Sequence, residues 1–429
     1  MRFPPGIPSQ FHRRSSGRRR SRRLMTDGIV VRKHRGRRVV LTTVGVLAGV
    51  LVLALGGVLA VGGILVPATY LQPWSAGYYQ QFSDPRMQVV AHAVLAPSGH
   101  NMQPWTVRLD QTDPNVLYLY TDPTRLTPAV DPLARQTLVS QGTFLAYLQV
   151  AAEHLGYSAS FTLFPDGTYN EADLKTSMSQ LPVAKVTLAK DSSATTADYA
   201  SLFLSDTNRA PYTAAPLTTT QTSALTSLAG SSPATLSILT GQQDMATLGA
   251  FAIEGTKIET EYLPATKESD ALFYGTEQAK NQARSGFGVE GQGTSGFMKY
   301  FLQGLLTIIP SVNDDAAGAK NAIAMTAAGV AHTAAYALIS TPGNTRTEQV
   351  QAGILYAQFC LHARTLGLVM QPLSQVLQEY PTMAGPYAAI HAKYAPGGHT
   401  IQMLVRIGTA TTQYPVTMRR DANALVHTP

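Results

Sequence analysis

The sequence predicts an α+β fold that is present twice in one chain and is preceded by one membrane-spanning helix. First, residues 39–66 form a run of 28 residues without a charged side chain. Second, Arg135–Gly156 aligns with Arg346–Gly367 at an offset of 211 residues. Third, helical and strand patterns are interleaved without the regular alternation of a doubly wound sheet, which favours the α+β class.

The N-terminal segment is strongly basic, whereas the rest of the chain is mildly acidic. Residues 1–38 hold 13 of the 33 Lys and Arg residues and one acidic residue, which leaves 20 basic and 25 acidic residues in the remainder. The folded part therefore lacks the basic surface that nucleic-acid binding requires, and we expect no nucleic-acid partner.

Residues 39–66 are long enough to cross the ~30 Å hydrocarbon core of a bilayer as a helix. Because basic residues precede the run, the positive-inside rule places the N-terminus in the cytoplasm and the chain beyond residue 67 outside. The sequence thus predicts a single-pass protein of the cell membrane, with a basic cytoplasmic tail (1–38), a transmembrane helix or signal anchor (39–66) and an extracytoplasmic folded part.

Other interpretations of the N-terminus stay open. Arg37-Arg38 before the apolar run also resembles a twin-arginine export signal, although Ala60-Val61-Gly62 is a poor cleavage site. The basic tail is also compatible with binding to anionic lipid headgroups, and Met25 is an alternative start. All of these keep the fold outside the cytoplasm.

The two aligned segments share seven identical positions, and each is typical of a long helix that ends at a left-handed glycine. The identities are Arg135/Arg346, Val139/Val350, Gly142/Gly353, Ala146/Ala357, Ala152/Ala363, Leu155/Leu366 and Gly156/Gly367. We interpret them as a first half over 84–190 and a second half over 200–425, linked through the Ser/Thr/Ala-rich residues 191–240. Arg135 and Arg346 are expected to make structural ion pairs or helix-start contacts.

The remaining elements follow from apolar periodicity and turn residues. Helices are predicted at 85–95, 133–155, 218–229, 242–283, 297–308, 318–333 and 345–366. Strands are predicted at Trp105–Leu109, Val116–Tyr120, Phe161–Leu163, Val183–Leu188, Ala335–Ser340 and Gln402–Ile407. Ser285–Gly296 is a Gly-rich loop that is suited to form a lid.

Several common catalytic signatures are missing or out of context. Gly286-Phe-Gly288-Val-Glu-Gly291 matches GxGxxG, but it follows a polar helical stretch and not a strand, so we expect no dinucleotide site there. The sequence has no GxSxG, HExxH or P-loop motif. The single cysteine, Cys360, lies in an apolar helix and is interpreted as a buried small residue, and no histidine spacing predicts a metal site.

A dense polar turn, Leu95-Ala-Pro-Ser-Gly-His-Asn-Met-Gln-Pro-Trp105, connects the first helix to the first strand. The hydrogen-bonding side chains between its two prolines can present amide groups to a planar ligand. The segment resembles the APSxxNxQPW turn of the nitroreductase-like FMN family, and the long chain with half-scale repeats resembles its fused, Acg-type branch.

Three other segments resemble parts of the same family. Ser205–Tyr212 is similar to its phosphate-binding RRSxRxF motif and keeps the hydroxyl at Thr207 and the last arginine at Arg209, but has Ser205 and Asp206 in place of the first arginines. Leu366–Gln375 resembles the segment beside the flavin N5 atom. Met418-Arg419-Arg420 resembles the C-terminal basic pair that closes on the phosphate.

The resemblance implies one FMN site per chain, because the first half carries the turn and the second half carries the phosphate motif. The fused chain would then be a pseudo-dimer that needs no homodimer to build its site. No catalytic residue is named, because the flavin carries the chemistry. The implied cofactor-binding residues are Pro97, Ser98, His100, Asn101, Gln103, Thr207, Arg209, Pro372, Leu373, Ser374, Gln375, Arg419 and Arg420.

The implied activity is reduction of a nitro, quinone or similar acceptor by a small-molecule donor, either NAD(P)H or, outside the membrane where NAD(P)H is scarce, a quinol. Two alternatives remain. One is a flavin-binding or FMN-sequestering protein that is lidded by Ser285–Gly296 and turns nothing over. The other is a fold that binds no flavin and serves as an envelope interaction protein.

Overall fold

A computed structural model describes residues 27–194, 196–213, 215–230, 232–313 and 315–427. Most of the expected basic tail, residues 1–26, lies outside the described residues. The chain divides between Gly57 and Val58 into two units.

The N-terminal helix α1 covers Asp27–Val61. Its stretch Arg37–Val61, 25 residues with a mean hydropathy of 2.7, is long and apolar enough to cross a membrane. Thr42 and Thr43 donate their hydroxyl hydrogens to the carbonyl oxygens four residues earlier, at 2.9 Å each, so these hydroxyls are satisfied within the helix. The expected end of the span at residue 66 is wrong, because the helix stops at Val61 and turns at Gly62-Gly63, where Gly63 has a φ of 87°.

The mixed α+β class is confirmed: the second unit contains two four-stranded antiparallel sheets with helices packed on them. The helices are α2 (Pro85–Ala93), α3 (Arg135–His154), α4 (Leu174–Gln180), α5 (Thr219–Thr226), α6 (Gln242–Glu261), α7 (Leu263–Asp270), α8 (Glu277–Ala283), α9 (Gly296–Ile308), α10 (Asp315–Ala331), α11 (Arg346–Thr365) and α12 (Ala384–Tyr394). The strands are β1 (Trp105–Leu109), β2 (Val116–Thr121), β3 (Tyr157–Leu163), β4 (Ala184–Lys190), β5 (Thr235–Leu239), β6 (Ala335–Thr341), β7 (Val369–Pro372) and β8 (Thr400–Gly408).

The two sheets have the same strand order. The first is β1-β2-β4-β3 and the second is β5-β6-β8-β7, so the second, third and fourth strands of each set pair in the same way. In each sheet a long helix, α3 or α11, follows the second strand and a short helix, α4 or α12, follows the third. The second set differs by the helices α6–α10 between its first two strands.

Strands β6 and β8 are buried on both faces because helices cover the second sheet from two sides. Ala335, Ala337 and Ile339 pack into an apolar cluster with α11, whereas the alternate residues Tyr336 and Leu338 pack with α6 and α12. The added helix α6 therefore supplies part of the second layer.

Helices α3 and α11 form the most extensive helix contact in the molecule and are almost fully buried. At their first residues, Arg135 lies 3.4 Å from Glu379 and Arg346 lies 2.8 Å from Glu171, so the expected structural ion pairs are confirmed. Cys360 is fully buried within α11, as expected, and burial raises its pKa to about 11.

Some element boundaries differ from those predicted. The prediction of a single helix over 242–283 is wrong, because this stretch forms three helices, α6, α7 and α8. The first break precedes Pro264, because proline cannot donate the hydrogen bond that would continue a helix. The prediction also missed α4, β5, β7 and α12, of which β5 lies in the stretch expected to be a linker.

Candidate functional site

A cavity of about 470 Å³ lies within the second unit and is walled by segments that are far apart in sequence. Its volume is in the range of small-molecule and cofactor sites. The walls are the turn after α2, α3, the segment 205–209, Glu259 of α6, the loop 286–292, Tyr356 of α11, the segment 372–378 and residues 414–417.

The polar turn forms one wall in a strained backbone conformation. His100, Asn101 and Gln103 have φ angles of 50°, 50° and 51°, in the left-handed region that non-glycine residues rarely adopt. Three such residues within four positions persist only where the surroundings hold them, which is a property of functional sites. The turn is docked on α3, since the Gly99 N–H donates to Ser140 Oγ at 3.1 Å.

The turn is also joined to the Gly-rich loop. The Asn101 side-chain amide donates to the carbonyl oxygens of Gly286 and Met418 at 3.0 and 3.1 Å. The Gly286 N–H in turn donates to the Asn101 carbonyl oxygen at 3.1 Å. The loop is therefore fixed as a cavity wall by this asparagine.

His100 is enclosed between the cavity and the loop. Its Nε2 atom lies 3.1 Å from Ser269 Oγ, and its ring centroid lies 5.4 Å from that of Phe287. Burial, with a smaller contribution from the Arg209 charge, lowers the pKa of His100 to about 4, so the imidazole is neutral at pH 7.

Arg209 brings a positive charge to the cavity, beside Thr207. Its Nη1 donates to the Gly291 carbonyl oxygen at 2.8 Å, and it forms no salt bridge with any described residue. The carboxylate nearby, Asp206, is paired with Arg419 at 3.2 Å. Arg209 thus keeps donors for an anion in the cavity.

The cavity wall also presents polar atoms that the protein leaves unpaired. Within the described ranges, Tyr356 OH, Gln375 Oε1 and Gln378 Oε1 are buried and have no hydrogen-bond partner. All three residues line the cavity. Because unpaired buried polar atoms are costly, this wall is arranged for a hydrogen-bonding ligand.

Glu259 adds an acidic group to the same wall. Its Oε1 accepts a hydrogen bond from Gln378 Nε2 at 2.6 Å, and burial raises the pKa of its carboxyl. A cavity-lining carboxyl with a raised pKa is a candidate functional group.

The structure places nine of the thirteen expected site residues on the cavity wall: Pro97, Ser98, His100, Asn101, Thr207, Arg209, Pro372, Ser374 and Gln375. The other four are behind it. Leu373 is 1% exposed and packs in the apolar cluster with α6. Gln103 is fully buried and donates to the Arg284 carbonyl oxygen at 2.8 Å.

Arg419 and Arg420, which were expected to contact a phosphate, do not line the cavity. Arg419 donates to Asn101 Oδ1 at 3.0 Å and pairs with Asp206. Arg420 donates to the carbonyl oxygens of Gln103 and Trp105 at 2.9 Å each. Both guanidinium groups are engaged by the protein, so they brace the polar turn from behind.

Sequence reasoning missed Glu259, Tyr356 and Gln378. Tyr356 lies inside one of the aligned helices, and Glu259 lies in α6, between the first two strands of the second sheet, where the first sheet has no helix. Their types and spacing carry no motif, so tertiary packing alone shows them. The Gly-rich loop was a usable signal, since Gly286, Gly288 and Gly291 all line the cavity.

No known family profile matches the chain. A "Putative NAD(P)H nitroreductase" of Mycobacterium tuberculosis is 38% identical over 78 residues, which are 18% of this chain and 22% of that protein. An uncharacterized protein of the same organism is 32% identical over 96 residues, or 22% of this chain and 27% of that one. The matches therefore span about a quarter of these relatives.

Among solved structures, a nitroreductase-like family protein from Bacillus cereus aligns with 55% of this chain and 97% of its own, at 11% identity and a TM-score of 0.30. In sequence, the chain is similar over about a fifth of its length to the protein named "Putative NAD(P)H nitroreductase".

Proposed function

We propose that this protein is a membrane-anchored, FMN-dependent oxidoreductase of the nitroreductase type. The observation that carries the proposal is the meeting of three distant segments, 97–101, 207–209 and 372–375, in one cavity. These are the segments whose motifs resemble the ring-binding, phosphate-binding and N5-adjacent parts of that family. The short sequence similarity to a protein named as a nitroreductase points the same way.

The residues present fit an FMN. Arg209 and Thr207 offer a cation and a hydroxyl for the phosphate. Tyr356, Gln375 and Gln378 offer unpaired polar atoms to the edge of a planar ring that carries both donors and acceptors. When bound, the flavin would supply hydride chemistry between a reduced donor and an acceptor, while the protein supplies position and electrostatics.

We further infer that the chain is a fused pseudo-dimer with one FMN. The matching strand orders of the two sheets support a duplication. The polar turn belongs to the first half, whereas Arg209, Ser374 and Gln375 belong to the second, so one cavity draws on both halves.

The apolar stretch Arg37–Val61 supports the anchor, and the basic residues before it support a cytoplasmic N-terminus with the fold outside. Arg37-Arg38 is compatible with a twin-arginine route, which would carry a flavin-loaded fold across the membrane intact. The donor is a small molecule, either NAD(P)H or, because NAD(P)H is scarce outside the cytoplasm, a quinol. The acceptor is a nitro, quinone or similar compound.

The test is the flavin content and turnover of the full chain, purified in mild detergent. We expect one FMN released per chain, and reoxidation of the reduced protein by a quinone. Two FMN per chain would contradict the single composite site, and none after FMN is added would overturn the proposed function.

The alternative, a flavin-binding protein without turnover, is favoured by one observation: Asn101 ties the Gly-rich loop down as a wall of the cavity. One FMN per chain that no quinone or nitro compound reoxidises faster than dioxygen does would support this alternative.

A further inference from the structure

Helix α9 (Gly296–Ile308) buries two polar side chains and exposes three large apolar ones. Lys299 is 8% exposed and Gln303 is fully buried, whereas Phe297, Met298 and Ile308 are 53%, 51% and 50% exposed. A helix that faces water shows the opposite arrangement, because its apolar stripe is directed at the core.

The buried polar side of α9 is held by a cluster of charges. Lys299 Nζ lies 3.0 Å from Glu277 Oε1, and Gln303 donates to the Gly62 carbonyl oxygen at 2.6 Å. Lys280 belongs to the same cluster. Its Nζ atom lies 2.6 Å from Glu277 Oε1 and 2.5 Å from Gln303 Oε1. Since removing a partner from a buried ion pair is strongly unfavourable, α9 cannot turn its apolar side inward.

The same helix packs closely on the chain where the candidate span ends. A Cβ atom at Gly304 would lie 1.9 Å from the Val58 carbonyl oxygen, and one at Gly62 would lie 2.0 Å from the Tyr300 carbonyl oxygen. Such close backbone approach through small residues is typical of helices that pack in membranes. Leu65, directly after the span, is itself 88% exposed.

We propose that the outer face of α9, formed by Phe297, Met298 and Ile308 together with Ile309 directly after the helix, lies in the interface of the same bilayer that holds α1. We expect this face to contact the boundary between headgroups and acyl chains, because the same helix packs against Val58 and Gly62, where the candidate span ends. The inference rests on the anchor in the proposed function and is independent of the flavin.

A placement of this kind brings the cavity close to the lipid. Thr307 near the end of α9 lies against Gly275, where its Oγ1 donates to the glycine carbonyl oxygen at 3.4 Å. Phe273, two residues before Gly275 in the sequence, lines the cavity and is 40% exposed. A lipid-soluble acceptor would then enter from the membrane side.

The test uses fluorophores on single cysteines in the full chain, reconstituted in phosphatidylcholine and phosphatidylglycerol vesicles. Cys360 is fully buried, so the unsubstituted protein is the unlabelled blank and labelling of Cys360 reports unfolding. The test variants are Met298→Cys and Ile308→Cys. Leu51→Cys within the span and Ser160→Cys, exposed on the edge strand β3, are the lipid and water controls.

We expect lipids with a shallow doxyl group to quench the labels at 298 and 308 several-fold more than the label at 160, and iodide in the buffer to quench them less. If iodide reaches 298 and 308 as it reaches 160 while the label at 51 is quenched by lipid, the inference is wrong and the anchor stands. Protection from both quenchers would mean that protein, such as a second copy, covers the face, and would also overturn it. If lipid does not quench the label at 51, both the membrane anchor and this inference are wrong. The FMN content does not depend on either of them.

Discussion

Gly142 of α3 and Gly353 of α11 face each other in a reciprocal contact. A Cβ atom at Gly142 would lie 2.0 Å from the Val350 carbonyl oxygen, and a Cβ at Gly353 would lie 2.0 Å from the Val139 carbonyl oxygen. Both pairs, Val139/Val350 and Gly142/Gly353, are identical positions of the aligned segments. A contact in which each partner repeats the other's interaction is typical of a two-fold interface, and it supports the proposed duplication.

Gly142→Ala and Gly353→Ala should each destabilise the fold, because a methyl group has no space between the two backbones. Overpacking of this kind costs about 1–3 kcal/mol or more in free energy of unfolding. Denaturant unfolding of the full chain in detergent measures this change in the free energy of unfolding. The control is Gly385→Ala in α12, where a Cβ meets nothing within 4 Å and the change should be neutral or stabilising. Equal stability of all three variants would contradict the close crossing.

Arg209→Gln should weaken FMN binding more than Asn101→Ala does. A hydrogen bond to a charged group contributes roughly 1.5–3 kcal/mol, which corresponds to about 10–100-fold in Kd. Quenching of FMN fluorescence by the flavin-free protein measures Kd. Arg108→Gln on β1, whose guanidinium lies over the Tyr120 ring, is the matched control and should bind normally. An unchanged Kd for Arg209→Gln would exclude this arginine as the phosphate contact.

Tyr356→Phe should lower FMN affinity with little loss of stability. The Tyr356 hydroxyl has no partner among the described residues, so its removal breaks no protein hydrogen bond, and a lost bond to the ligand costs about five-fold in Kd. Tyr380→Phe is the control, since its buried hydroxyl also has no described partner but does not line the cavity. The same loss of affinity in both variants would argue against a ligand contact at Tyr356.

Asn101→Ala should release the Gly-rich loop from the turn. It removes two donated bonds, to Gly286 and Met418, and one accepted from Arg419, which costs about 1–3 kcal/mol. Hydrogen exchange should accelerate in residues 285–292 and not in β6. Asn115→Ala in an exposed turn is the control. If turnover of a bulky quinone also rises, the loop limits access to the cavity. Unchanged hydrogen exchange in residues 285–292 would mean that other contacts hold the loop.

The protein should lose stability between about pH 6.5 and pH 4 in part because of His100. Burial lowers the pKa of this residue from 6.5 to about 4, so in this range the unfolded chain binds a proton that the folded chain does not. The free energy of unfolding therefore falls as pH falls through the window. His100→Gln should flatten this dependence, measured by urea unfolding from pH 7 to pH 4. The exposed His399→Gln should keep it, and parallel profiles for His100→Gln and the unsubstituted protein would refute the assignment.

The sequence determined those features that depend on residues close together in the chain. A run without charges predicted a spanning helix, and Trp105–Leu109 and the long helices α3 and α11 were predicted within a few residues, because apolar periodicity and terminal glycines act over neighbouring positions. Motif resemblance also located three of the segments that line the cavity. The breaks within 242–283 and the short strands β5 and β7 were not found, since four or five residues carry too little pattern.

Tertiary structure alone decided which of these side chains face the cavity. Arg209 lines the cavity. Arg419, in an equally basic motif, instead forms a salt bridge with Asp206 and a hydrogen bond with Asn101. Tyr356 is left without a partner by the packing of α11, and α9 shows apolar residues outward because Lys299 and Gln303 are held by a buried charge cluster. The reason is physical: a side chain's partners are set by contacts between segments a hundred or more residues apart, and neither composition nor spacing encodes whether a buried charge or hydroxyl is already satisfied.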